Sequence, residues 1–395
     1  MAPGFVRQIL FITAFRLLLN TGRRFVYPFA PALSRTLDVP LAAITSIIAT
    51  GQFTSLLGIF AGPLADRYGY RIMMRAGLAV LAIGMLICGL VPRYWPVFAG
   101  LVIASFGKTI FDPAVQAYVG NSVPFAKRGR VIGAIETAWA GSTLIGIPAL
   151  ALIIDHVGLR NSFYLIALLG ALSWLAMGVV IQQDAGRPIV QRHPGGFLSS
   201  MHQLIKARSA AGMLAFGFFI SVANDSLFVV YGAWFEQAFA VSIVTLGFST
   251  VAIGGAELLG ESITALFSDR LGPKRAILIG VVLLIGAYLL LPIIGSKLGL
   301  AMIGLFLVFI AFEFTIVTSF SLCTEVLPEA RGTMMAGYYA SAGLGRMVGV
   351  LVAGVIWDRA GITGIALLSA LCTVWGLIAL LWGLFGWSPG AARHE

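Results

Sequence analysis

Charge is scarce in this chain. Of 395 residues only 11% are Asp, Glu, Lys or Arg, where a soluble domain carries about 25%. With 59% of the residues hydrophobic, an ordinary water-facing globule is excluded. Cysteine is nearly absent. Cys88, Cys323 and Cys372 stand singly within or at the end of apolar segments, so neither a disulfide framework nor a metal spacing follows. Histidine is as rare, and His156, His193, His202 and His394 fall in loops or at a terminus. The sequence has no H-E-x-x-H, no G-x-S-x-G and no G-x-x-x-x-G-K-[ST] phosphate loop. Zinc-protease, serine-nucleophile and ATP-driven chemistries therefore lack their residues. No metal and no cofactor are expected, and the chain is not read as an enzyme.

Apolar sequence is what the chain has in excess. Dividing it at its polar clusters leaves twelve segments of about 20 residues or more, long enough to cross a ~30 Å hydrocarbon core. They are 5–32, 41–64, 72–92, 97–119, 131–154, 161–183, 209–237, 242–267, 275–295, 298–322, 333–356 and 361–385. Each should be a helix, because lipid offers no partner to an unsatisfied backbone amide. Arg16, Arg23 and Arg24 interrupt the first segment, which a signal peptide does not tolerate, so 5–32 is read as a retained span.

The formal net charge of +10 does not indicate nucleic acid. With a cytoplasmic N-terminus, sixteen Lys and Arg residues fall on the cytoplasmic side and five on the other, which is the positive-inside bias. Both termini are then cytoplasmic in a bacterial inner (plasma) membrane, and the basic loops meet anionic lipid. No nucleic-acid partner is expected, and the chain is read as a monomer.

The chain is also written twice. Asp66-Arg67 with Gly69 returns as Asp269-Arg270 with Gly272, Arg128-Gly129 as Arg331-Gly332, and Asp155 with Gly158 as Asp358 with Gly361, always 203 residues later. Six spans fall in each copy, so both copies have one orientation, the parallel-repeat arrangement of many transporters. The expected fold is an all-α membrane protein of 12 transmembrane helices in two six-helix pseudo-repeat bundles. The bundles occupy 1–183 and 209–395. The Gly-, Pro- and Arg-containing stretch 184–208 is a cytoplasmic linker with a short surface helix near Phe197–Ile205.

Ionisable residues at membrane depth are expensive, and each is a candidate for function. The first copy holds Arg16, Arg23, Arg24 and Lys108 against Asp112 and Glu136; the second holds Arg346 against Asp225, Glu257, Glu261 and Glu313. One half is biased to cations and the other to carboxylates. Arg16, Asn20, Arg23 and Tyr27 follow helical spacing and share one face, as do Lys108, Asp112 and Gln116. Lys108 and Asp112 are equally well spaced for a purely structural ion pair. Glu257 and Glu261 stand one turn apart, which disfavours joint ionisation and suits a proton carrier; pairing with cations is the alternative. Arg24 points away from the first stripe and is expected to snorkel to the outer interface. Glu136 is expected to pair with loop arginines. Among many aromatic residues, Trp139, one turn after Glu136, is the candidate substrate-contacting ring.

Gly62-Pro63-Leu64-Ala65-Asp66-Arg67-Tyr68-Gly69-Tyr70-Arg71, between the second and third spans, resembles the signature loop of the major facilitator superfamily, G-x-L-a-D-r-x-G-r-[RK]. A degraded copy, Ala265 to Lys274, lies between the eighth and ninth spans, where that family keeps its second copy. With the six-plus-six repeat, the resemblance covers essentially the whole chain. It implies that Gly62, Asp66, Arg67, Gly69, Arg71, Asp269, Arg270 and Gly272 form a conformational switch that does not touch substrate. It also implies a cavity lined by spans 1, 4, 7 and 10, which carry Arg16, Lys108, Asp112, Asp225 and Glu313. The family's antiporter pattern in the fifth span, G-x-x-x-G-P-x-x-G-G, is present only as Gly141 to Pro148 with altered spacing, and the fourth-span R-x-x-Q-G is missing.

The expected function is secondary active transport of a small organic solute by alternating access. Proton-coupled export of an amphipathic compound leads, as in the drug and metabolite efflux branch. Proton-coupled uptake of an organic anion is the alternative within transport, and a non-transporting membrane sensor the alternative outside it. Candidate substrate-binding residues are Arg16, Asn20, Arg23, Tyr27, Lys108, Asp112, Trp139, Asp225, Glu313 and Arg346. Candidate proton-coupling residues are Asp112, Asp225, Glu257, Glu261 and Glu313.

Overall fold

A computed structural model describes residues 3–58, 64, 68–123, 125–181, 206–327 and 331–387. Among these, all regular structure is helical: α1 (Pro3–Arg24), α2 (Ala30–Leu37), α3 (Leu41–Phe53) with a 3-10 turn (Thr54–Leu57), α4 (Tyr70–Leu90), α5 (Tyr94–Ser122), α6 (Phe125–Gly141), a π-type turn (Ser142–Gly146), α7 (Ile147–Val180), α8 (Arg208–Phe239), α9 (Ile243–Leu271), α10 (Pro273–Ile294), α11 (Leu298–Val326) and α12 (Arg331–Gly383). Nearly all of the linker expected at 184–208, with its surface helix, lies outside the described residues, as do Gly62, Asp66 and Arg67.

Eight described helices are long and apolar enough to cross a membrane. Two of them, Val131–Val180 and Met334–Gly383, are 50 residues each, too long for one crossing at 1.5 Å per residue. Each is broken in the middle, at Gly158 (φ 82°, ψ 163°) and Gly361 (φ 54°, ψ −150°), a backbone region that is essentially glycine's alone. Each therefore supplies two spans. Ala30–Leu37 and Leu41–Leu57, bent by 118°, are together long and apolar enough for one more, and Pro3–Arg24 is a further helix of 22 residues. With them the helices are consistent with twelve spans.

The repeat read from the sequence is repeated in backbone conformation. Gly69 (φ 93°) and Gly272 (φ 77°) open α4 and α10, and Gly158 and Gly361 break α7 and α12; both pairs are 203 residues apart. Asp38 (φ 51°) and Ala240 (φ 49°) turn the chain at nearly the same spacing.

By contacts, the chain forms two compact units: Met1–Val190 with Ala240–Gly254, and Gln191–Phe239 with Gly255–Glu395. In the first, α1 packs on α5, α6 and α7, and α4 packs on α5 and α7; in the second, α8 lies along α12, and α10 packs on α11 and α12. Burial is inverted relative to a soluble protein. Val179 is 86% exposed while Arg16 is 6% exposed, as expected when the outer surface meets lipid and polar groups turn inward.

Candidate functional site

In the first unit α1, α5 and α6 bring four charged side chains into one cluster, in which Arg16 and Lys108 are buried and Asp112 and Glu136 are partly exposed. Arg16 Nε donates to Asp112 Oδ1 at 3.0 Å, and its Nη1 lies 2.7 Å from Glu136 Oε2. Lys108 Nζ donates to the other oxygen of Asp112 at 2.5 Å, one helical turn away on α5. Arg16 Nη1 also donates to the Ile135 carbonyl at 3.2 Å, and Gln116 Nε2 to Glu136 Oε1 at 3.4 Å. Two cations and two carboxylates thus balance, and both oxygens of Asp112 are engaged. Such a network is stable in a low dielectric only if every member is satisfied.

Glu136 pairs with Arg16 across the α1–α6 contact; the side chains of the loop residues Lys127, Arg128 and Arg130 lie outside the described residues. One expectation changes here. Arg24 does not reach an interface. It is buried, with Nη1 donating to the Trp139 carbonyl at 3.0 Å and to Ser142 Oγ at 3.2 Å, and its guanidinium lies 4.1 Å from the Trp139 ring centroid. Lys108 Nζ stands 5.5 Å from the same ring. The candidate substrate ring therefore serves as a platform for two cations.

The expected stripe on α1 divides. Arg16 and Asn20 turn to α6, Asn20 Nδ2 donating to the Ala138 carbonyl at 3.0 Å. Arg23 turns to α3 and its 3-10 extension, with Nη2 donating to Gln52 Oε1 at 2.6 Å and Ser55 Oγ at 2.8 Å. Gln52 Nε2 donates to the Tyr27 hydroxyl at 2.5 Å. Tyr27 lies beyond the end of α1, so helical spacing does not place it; Gln52 does. A recess opens here, with Arg23, Tyr27, Gln52 and Ser105 as its polar wall and Val26, Ile47, Ile48 and Leu101 as its apolar one. Gln52, Ser55 and Ser105 were not among the candidates read from the sequence. The signal was present: Gln52 is an amide inside the apolar run 41–64.

The second unit buries carboxylates. Asp225 on α8 is 4% exposed, Glu257 on α9 2% and Glu313 on α11 6%; Glu261 is half-buried. Arg346 Nε on α12 stands 3.8 Å from Asp225 Oδ2. Gly260 lets α9 press against α11. A Cβ there would lie 2.8 Å from Glu313 Cβ, which sets Glu313 against the turn that carries Glu257 and Glu261. Tyr338 and Ser319 share a hydroxyl–hydroxyl hydrogen bond of 2.7 Å. Among the described residues no cluster of metal-ligating side chains occurs.

Of the switch loop, Gly69 opens α4 at positive φ, and Arg71 donates to the Gly178 carbonyl on α7. Gly272 plays the part of Gly69 before α10. The side chains of Asp269 and Arg270 lie outside the described residues.

A family model of the Major Facilitator Superfamily matches residues 12–210 and 213–394. The chain is 26% identical over 381 residues to a multi-drug resistance efflux pump PmrA homolog of Lactococcus lactis, covering 89% of this chain and 90% of that protein. It is 23% identical over 360 residues to the uncharacterized MFS-type transporter YwfA of Bacillus subtilis, covering 89% and 86%. Among solved structures, a bacterial homolog of the human lysosomal transporter Spinster superposes with a TM-score of 0.78 at 15% identity, covering 99% of this chain and 100% of that one. A D-xylose-proton symporter superposes with a TM-score of 0.75 at 16% identity, covering 96% and 97%. The duplicated helices, the glycines that break them at matching positions and the charges turned inward from lipid agree with the match along the chain: this multi-pass membrane protein belongs to the Major Facilitator Superfamily, a family of transporters.

Proposed function

We propose that the protein exports a small amphipathic organic solute by alternating access, in exchange for protons, across a bacterial inner membrane with both termini cytoplasmic. The observation that carries this reading is the burial of Asp225, Glu257 and Glu313 in the second unit. A carboxylate at membrane depth is costly and is retained where it takes up and releases a proton. The efflux-pump homolog of Lactococcus lactis supports the direction, and the D-xylose-proton symporter, which shares the fold, is named for its coupling ion.

In this reading the protein works as a monomer, with six-helix halves at 1–183 and 209–395 joined by a cytoplasmic linker. Asp225, with Arg346 beside it, carries the coupling proton; Glu257, Glu261 and Glu313 tune it. The Arg16, Lys108, Asp112 and Glu136 cluster holds the first unit's shape. The loop from Gly62 to Arg71 and its copy act in switching, and the cytoplasmic basic loops rest on anionic lipid.

Proteoliposomes with a pH dye inside test it. Amphipathic cations, anions and zwitterions are added in turn, and a transported member should drive proton movement that Asp225→Asn lowers at least tenfold. Solute flux indifferent to a pH gradient would remove the coupling. The cationic bias of the first unit favours a second reading, proton-coupled uptake of an organic anion. Reversing the gradient separates the two, since uptake follows inward protons and exchange opposes them.

A further inference from the structure

Where α4 begins and α7 stops, the first unit carries a pair of guanidiniums. Arg71 and Arg75 stand one turn apart on α4. Arg71 Nη2 donates to the Gly178 carbonyl near the end of α7. Arg75 lies on the Trp174 ring, its Cζ 4.5 Å from the centroid. Gly178 makes the notch that admits it, for a Cβ there would lie 3.3 Å from Arg75 Cζ. Both forks are therefore held in place. The Nε of each is shut off from solvent and has no acceptor. Arg71 Nη1 and both Nη atoms of Arg75 reach the surface instead, and none of the three bonds to a described residue. Among the described residues no carboxylate pairs with either guanidinium. Hydrocarbon borders them: Ile72 on α4 and Leu175 and Val179 on α7 are all exposed.

The C-terminal end of a helix favours a cation beside it, which accounts for Arg71. It does not account for Arg75, whose charge meets a ring and whose outer donors have no acceptor. Guanidinium forks fixed in this way match the oxygens of a phosphate. A half-buried Trp at a helix end belongs at the level of lipid headgroups, and the exposed hydrocarbon beside it is covered by acyl chains. We propose that Arg71, Arg75 and Trp174 form a headgroup site for an anionic phospholipid, the guanidiniums taking its phosphate and Ile72, Leu175 and Val179 its chains. A zwitterionic headgroup is the poorer occupant, since its own cation is repelled by the pair. The second unit repeats only part of this. Lys274, 203 residues after Arg71, donates to the Leu384 carbonyl at 3.3 Å, but the counterpart of Arg75 is Leu278. The paired fork is thus a property of the first copy. This site deepens the lipid contact proposed above and rests on that reading only for its leaflet, the cytoplasmic one.

Purified full-length protein in detergent is titrated with dioctanoyl phosphatidylglycerol and, in parallel, with dioctanoyl phosphatidylcholine, and the affinity of the tightest-bound lipid is read by native mass spectrometry. Neither solute nor proton gradient is present, so failure here and failure of the transport scheme are distinguishable. Phosphatidylglycerol should bind about fivefold more tightly than phosphatidylcholine. Arg75→Gln should weaken phosphatidylglycerol about fivefold, the worth of one cation at a lipid surface. Arg93→Gln, which removes an exposed cation beyond the far end of α4, should leave it unchanged. Arg75→Lys keeps the charge and the length but loses the fork, so it guards against misfolding and should fall between wild type and Arg75→Gln. Equal affinity for the two lipids would overturn the proposal, as would a loss in Arg75→Gln no larger than that in Arg93→Gln. Displacement of phosphatidylglycerol by an equal concentration of inorganic phosphate would also overturn it, by assigning the pair to a soluble anion.

Discussion

The two units hold their helices together by different polar chemistry. In the first, α1 is tied to α5 and α6 by full charges, with Arg16, Lys108, Asp112 and Glu136 in one network. In the second, besides the longer Asp225–Arg346 pair, α8 is tied to α12 by hydroxyls on backbone carbonyls: Ser226 Oγ donates to Gly349 O at 3.1 Å, Ser341 Oγ to Leu214 O at 2.8 Å and Ser369 Oγ to Ala223 O at 2.8 Å. A hydroxyl bond of this kind costs little to bury and contributes little each, so α8 and α12 are joined by bonds that do not depend on Asp225. A buried ion network is the reverse. It contributes modestly when complete and costs heavily when one member is lost. The comparison sets Asp112 and Glu136, inside an ion network of the first unit, against Asp225, which stands beside Arg346 across the α8–α12 contact.

Neutralising one acid in each unit is the sharpest way to break that comparison. Asp112→Asn takes the anion from both Arg16 and Lys108 and should destabilise the protein by about 3 kcal/mol. Asp225→Asn should stay within about 1 kcal/mol, since its neighbour Arg346 is only partly buried, with 29% of its side chain exposed, and stands 3.8 Å away. Thermal unfolding in detergent measures both, and equal losses would erase the distinction. Where the units are alike, they should respond alike. Gly158→Ala and Gly361→Ala, at positions with no atom within 4 Å of the added methyl, should each cost about 2 kcal/mol through backbone strain alone. A difference above about 1 kcal/mol would mean that the two kinks carry different loads. The smallest effect is expected at a single hydroxyl strut: Ser226→Ala should cost about 0.6 kcal/mol. A loss as large as that of Asp112→Asn would show that the second unit also depends on single polar contacts.

Much of the fold was legible before any coordinates. The landmark offset located Gly69, Gly272, Gly158 and Gly361, and all four take the positive φ that a tight break between helices needs. The i,i+4 pair Lys108–Asp112 was legible because one helix carries both partners. Arg24 was misplaced, and the Arg16–Glu136 pair was not foreseen, for the converse reason. A helical wheel gives the direction in which a side chain leaves its own helix, and nothing about which neighbour stands there. α6 stands against α1, so Arg16 found Glu136, and Arg24 found Trp139 and Ser142. Tyr27 was assigned to a helical stripe that ends three residues before it.

Local and compositional facts were determined by the sequence alone: helices forced by lipid, spans set by apolar length, the duplication, and the opposite charge bias of its two copies. These follow from backbone hydrogen bonding and from the cost of charge in hydrocarbon, which act on any chain of this composition. Tertiary structure decided the partners. It neutralised Arg16 and Lys108 against Asp112 and Glu136, laid Arg24 on Trp139, and set Arg23 with Gln52 on the wall of a recess. Four cations of similar appearance in the sequence thereby acquired different roles, because the electrostatic fate of a buried charge depends on the groups within a few ångströms of it, and those come from other helices.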